Sequence, residues 1–117
     1  MNSKNYILVV LALFSSALSA NNESRSMEFG KHANPLKGKI YSEYNRELKS
    51  NSKLSGKVTF NLAIGADGSL EKCSVDVSEL KSETLENKIC EILKSKSYVG
   101  FSVKPSNFTY KLEFLAH

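Results

Sequence analysis

The stretch from Gly56 to Leu70, GKVTFNLAIGADGSL, constrains the fold of this chain more than any other. Apolar and polar residues alternate through it, break at Asp67-Gly68, and alternate again in LEKCSVDV. A period of two marks a strand with one buried face. Val58, Phe60, Leu62 and Ile64 therefore share the inner face of a first strand, and Thr59, Asn61 and Ala63 lie on the other. Gly65-Ala66-Asp67-Gly68 supplies the residues that tolerate positive φ in a hairpin turn, and the returning strand is expected to turn Cys73, Val75 and Val77 inward. Two strands cannot stand alone, so the rest of the chain must cover them.

The cover is legible on both sides of the hairpin. After it, Ser82 is a helix cap, with Glu83 and Glu86 in the first turns and Lys94 and Lys96 near the far end, as the helix dipole favours. Leu85, Ile89, Ile92 and Leu93 form the apolar arc of that helix. Before the hairpin, Asn34-Pro35 reads as a helix start, followed by Ile40, Tyr41, Tyr44 and Leu48 at helical spacing. At the end of the chain Phe108, Tyr110, Leu112 and Phe114 alternate with Thr109, Lys111, Glu113 and Leu115 as a third strand. The order helix-strand-strand-helix-strand predicts an α+β domain over 35–117, a three-stranded antiparallel sheet with helices packed on one face. The last strand pairs most easily beside the first, which leaves the second and third as edges.

Residues 1–20 read as a signal peptide: Lys4, then the apolar run YILVVLALF, then the small-residue exit SSALSA. That run is far shorter than the about 20 residues a membrane span needs, so cleavage after Ala20 and a periplasmic, unanchored product are expected. Residues 21–34, NNESRSMEFGKHAN, are polar, with Met27 and Phe29 as large apolar residues, and read as a short disordered lead-in. The formal net charge of +4, from 16 basic and 12 acidic residues, is scattered rather than blocked, which argues against nucleic acid as a partner.

Catalytic equipment is sparse. His32 falls in the lead-in and His117 is the last residue, so neither serves a core site, and no metal, cofactor or catalytic residue is assigned. No GxSxG elbow or glycine-rich phosphate cradle occurs, and GADG is explained as a turn. Glu83, Glu86 and Glu91 are explained by a helix surface. Cys73 and Cys90 both point toward the sheet-helix interface, where they either form a disulfide, as an exported chain permits, or lie buried as two small apolar thiols.

YSEYNRELKSNSKLSGKVTFNLAIGADGSLEKCSV, LKSETLENKICEILKS and FTYKLEFL together resemble the C-terminal domain of TonB-type energy transducers, most closely the AgmX/PglI branch. The matching positions are Tyr44, Arg46, Glu47 and Leu48; Leu54 to Val58; Asp67 and Gly68; Leu85, Glu86 and Cys90; and Phe108, Tyr110 and Phe114. The chain departs from the branch at Ser42, where a cysteine is frequent, and in KSKSYVGFS, where Tyr98 and Phe101 stand in place of the usual tryptophan and proline.

The resemblance implies a non-enzymatic domain that binds protein segments at a sheet edge. The expected edge is the last strand, with Asn107, Thr109, Lys111, Glu113 and Leu115 facing a protein partner of the cell envelope. A structural homodimer formed through the same edge is the alternative. A membrane-anchored transducer would follow if the leader were not cleaved, but about 15 lead-in residues at about 3.5 Å each reach about 50 Å at most, which argues against force transmission.

Overall fold

The computed structural model describes residues 23–100 and 106–115. The expected leader, Phe101 and His117 lie outside the described residues. Residues 23–33 form helix α1, and a 3-10 turn over Asn34–Leu36 leads directly into α2, Lys37–Leu48. Strands β1, Gly56–Ile64, and β2, Leu70–Ser78, form the hairpin, followed by α3, Glu83–Lys94, and β3, Ser106–Phe114. The sheet is antiparallel in the order β2-β1-β3, with the helices packed on it, so the α+β architecture is as the alternation dictates. No helix among the described residues is long and apolar enough to cross a membrane.

Residues 23–33 of the expected lead-in are instead helical. Phe29 is fully buried, with its ring centroid 4.8 Å from that of Tyr98, 5.1 Å from Phe108 and 4.9 Å from Tyr110. Phe29, Ala33, Leu36, Ile40 and Tyr44 recur at steps of three and four and are all buried, so one apolar stripe runs through both helices and the turn between them. Asn34 is therefore not the cap: Ala33 holds the cap position of the 3-10 turn, and Pro35 sits inside that turn, where its missing N–H costs little. Tyr41, expected in the core stripe, is 41% exposed and lies edge-on to Phe114 at 5.4 Å.

β1 buries Val58, Phe60, Leu62 and Ile64 as its alternation requires, and β3 does the same with Phe108, Tyr110, Leu112 and Phe114. β2 departs from expectation. Its pairing with β1 shifts between Thr59 and Phe60 and again between Ala63 and Ile64, which places extra residues at Asp76 and Glu71. Each extra residue inverts the alternation beyond it. Val77 consequently stands opposite Thr59 on the outer face and is 61% exposed, while Ser78 takes the inner position opposite Val58. There its hydroxyl donates to Glu86 Oε2 at 2.5 Å and accepts from the Leu80 and Lys81 amides, fastening α3 to the end of the sheet.

α3 starts at Ser82, whose hydroxyl accepts from the Leu85 amide at 3.3 Å, and buries Leu85, Ile89 and Leu93. Cys73 on β2 and Cys90 on α3 are joined by a disulfide with a Cα–Cα distance of 5.7 Å. Such a bond is compatible with an extracellular or periplasmic location. The β1-β2 turn is held from below: Gly68 sits at φ +86°, and the Tyr98 amide donates to its carbonyl at 2.8 Å.

Candidate functional site

The two sheet edges differ in kind. β2 carries both register shifts and exposes Glu71, Lys72 and Asp76, features that discourage another strand from pairing there. β3 pairs with β1 in unbroken register from Gly56↔Phe114 to Ile64↔Ser106. A straight edge of this kind is a template for a further strand.

Which backbone groups the edge offers follows from alternation. Lys57 turns its amide and carbonyl toward the β2 side, where both meet Glu79 at 2.8 Å. Val58, Phe60 and Leu62 therefore face β3, and their partners Leu112, Tyr110 and Phe108 face back. Asn107, Thr109, Lys111 and Glu113 are left with their amides and carbonyls on the side away from β1. The Thr109 carbonyl confirms this direction by accepting the Ser26 hydroxyl from α1.

Asn107, Thr109, Lys111 and Glu113, four of the five residues expected at a partner-binding edge, thus lie on one side of β3, and Leu115 follows the end of the strand. Asn107, Lys111, Glu113 and Leu115 are exposed, whereas Thr109 is half-buried and its carbonyl is already taken. α1 closes the edge at Thr109, and the part from Lys111 onward is open.

Beside that open part runs a trough of three adjoining depressions. The central one, about 570 Å³, lies between β3 at Tyr110, Lys111, Leu112 and Glu113 and the helices at Met27, Gly30, Lys31, Asn34, Lys37 and Tyr41. A depression of about 380 Å³ continues it past Met27 to Ser26 and Thr109, and one of about 390 Å³ continues it past Tyr41 to Asn45 and Leu115. From Thr109 to Phe114 the strand runs about 17 Å at about 3.4 Å per residue. The helical wall is not expected from the polar composition of residues 21–34; the signal for it in the sequence is the step pattern from Phe29 to Tyr44.

The central part of the trough is basic and holds one unmatched donor, while Glu23 lines the depression at its Thr109 end. Lys31, Lys37 and Lys111 line its central part against the single carboxylate of Glu113. Tyr110 is buried on the same wall, and its hydroxyl has no hydrogen-bond partner among the described residues. Burial, with a smaller contribution from Tyr41, raises the Tyr110 pKa above 10.0, so the group remains a neutral donor.

His32 sits half-buried on α1, 4.0 Å from Glu28 and 6.3 Å between ring centroids from Tyr98, and so is held by the core rather than loose in a lead-in. Among the described residues no group of three or more His, Cys, Asp or Glu side chains is placed to hold a metal ion. Comparison with protein-family models, curated proteins and solved structures finds no match for this chain.

Proposed function

We propose that the chain is an exported, non-enzymatic protein-binding domain, similar to the TonB C-terminal domain, that receives an extended segment of a periplasmic partner as a fourth strand beside β3. The observation that carries this reading is the asymmetry of the edges: β2 is bulged and charged, while β3 is in continuous register and flanked by a trough. Affinity would come from the outward amides and carbonyls of Lys111 and Glu113, and side chains of the incoming strand would meet the helical wall on one face and Lys111 and Glu113 on the other. The sequence before the domain, the disulfide and the absence of a long apolar helix among the described residues accord with a periplasmic product.

The test is a proline at Lys111. Its amide faces away from β1, so Lys111→Pro removes an outward donor while the β1-β3 ladder stays intact. Retention of partners from an envelope extract by the wild-type chain, and their loss by a Lys111→Pro variant with an unchanged circular dichroism spectrum, is the expected result. Undiminished retention by that folded variant sinks the reading. A stable dimer in light scattering that Lys111→Pro dissociates would show that the edge serves self-assembly instead.

A further inference from the structure

We infer that the trough along β3 selects an extended segment bearing carboxylate side chains, in preference to a neutral or basic one. The inference rests on the strand-addition reading and names the chemistry of the strand that is added.

Its first support is charge. Lys31 on α1, Lys37 on α2 and Lys111 on β3 line the central depression, where Glu113 is the only carboxylate among the lining residues. None of the three lysines is in an ion pair among the described residues. Protection of a bare edge accounts for a lysine on the edge strand itself, and so for Lys111. It does not account for Lys31 and Lys37, which stand on the helices opposite. An added strand presents alternate side chains to its two faces, so carboxylates in one register meet Lys31 and Lys37 and in the other meet Lys111.

The second support is independent of charge. The Tyr110 hydroxyl is buried on the trough wall without a partner among the described residues. Buried donors in folded proteins are nearly always matched, and a carboxylate is a strong acceptor for such a group. Gly30 lies against this ring, where a Cβ would stand 3.9 Å from Tyr110 Cε1, in van der Waals contact.

Two labelled probes of ten residues, one alternating Thr with Glu and the other alternating Thr with Gln, test the inference by fluorescence anisotropy against the whole chain. The Glu probe is expected to bind about tenfold more tightly at low salt, the size that two or three exposed ion pairs give. The preference should shrink at high salt and vanish in a Lys31→Gln/Lys37→Gln/Lys111→Gln variant. Equal binding of both probes, abolished by Lys111→Pro, would overturn the acidic preference while leaving strand addition standing. A Glu preference that survives the triple lysine variant would also overturn it. If neither probe binds, or if binding ignores Lys111→Pro, strand addition at this edge fails and the inference fails with it. A second copy as occupant would show as self-association that excludes both probes, and would overturn it too.

Discussion

The Ser26 hydroxyl on α1 donates to the Thr109 carbonyl on β3 across 83 positions of sequence, and so ties the first described helix to the edge of the last strand. Together with the burial of Phe29 among Tyr98, Phe108 and Tyr110, this makes α1 part of the core. Phe29→Ala should therefore cost about 3–5 kcal/mol, the range for a large aromatic removed from a packed site. Urea denaturation measures it. A loss below about 1 kcal/mol, the scale of a surface change, would show that α1 is only loosely attached.

How much of this was legible depended on whether local chemistry agreed with packing. β1 and β3 could be read directly, because each keeps strict alternation and neither pairs with a bulge in the other. β2 could not, since an inserted residue at Asp76 leaves no mark in composition yet sends Val77 to the outer face. The N-terminal helix was hidden by a misleading cap. Asn34-Pro35 has the chemistry of a helix start, but the apolar steps from Phe29 through Ala33 and Leu36 to Ile40 run straight across it. The edge residues of β3 were legible as a strand face, whereas the trough beside them needed the unrecognised helix as its second wall.

Reduction of the Cys73–Cys90 bond releases a loop of 17 positions, and in the chain-entropy account this relaxes the unfolded state by about 3 kcal/mol. The urea midpoint should fall by a corresponding amount in dithiothreitol and in a Cys73→Ser/Cys90→Ser variant, with no further fall when the variant is reduced. Thiol counting on the unfolded, unreduced protein should find neither of these cysteines free; two titratable thiols would disprove the bond in solution.

Two glycines should respond to alanine in opposite directions. Gly68 adopts φ +86°, and a Cβ there would lie 2.7 Å from the Val99 backbone, so Gly68→Ala combines backbone strain with a clash against the segment that clamps the turn. A loss of about 1–3 kcal/mol follows. Gly38 is exposed in α2 and a Cβ there meets nothing within 4 Å, so Gly38→Ala should stabilise by up to about 1 kcal/mol through helix propensity alone. Thermal melts of the two variants should move apart from the wild type; a shift of the same sign in both would contradict the geometry.

Alkali should unfold the protein through its buried phenols. Desolvation raises the pKa of Tyr98 above the ordinary 10.0, with a smaller contribution from Tyr110, and desolvation likewise raises that of Tyr110. The folded state thus holds these protons more tightly than the unfolded one. Their contribution to stability is full below pH 10, where both states are protonated, and declines as the pH rises above it because only the unfolded chain can ionise freely. Tyr98 also donates to the Leu93 carbonyl at 2.7 Å, a bond that its phenolate cannot make. Absorbance of the buried phenolates should therefore appear together with loss of the far-ultraviolet dichroism, and not before it. Tyr98→Phe separates the two effects: it should cost about 1 kcal/mol at neutral pH through the lost bond, yet flatten the decline of stability above pH 10. Ionisation of every tyrosine at pH 10 with the dichroism intact would show that Tyr98 and Tyr110 are open to solvent, and with them the aromatic cluster that holds α1 against β3.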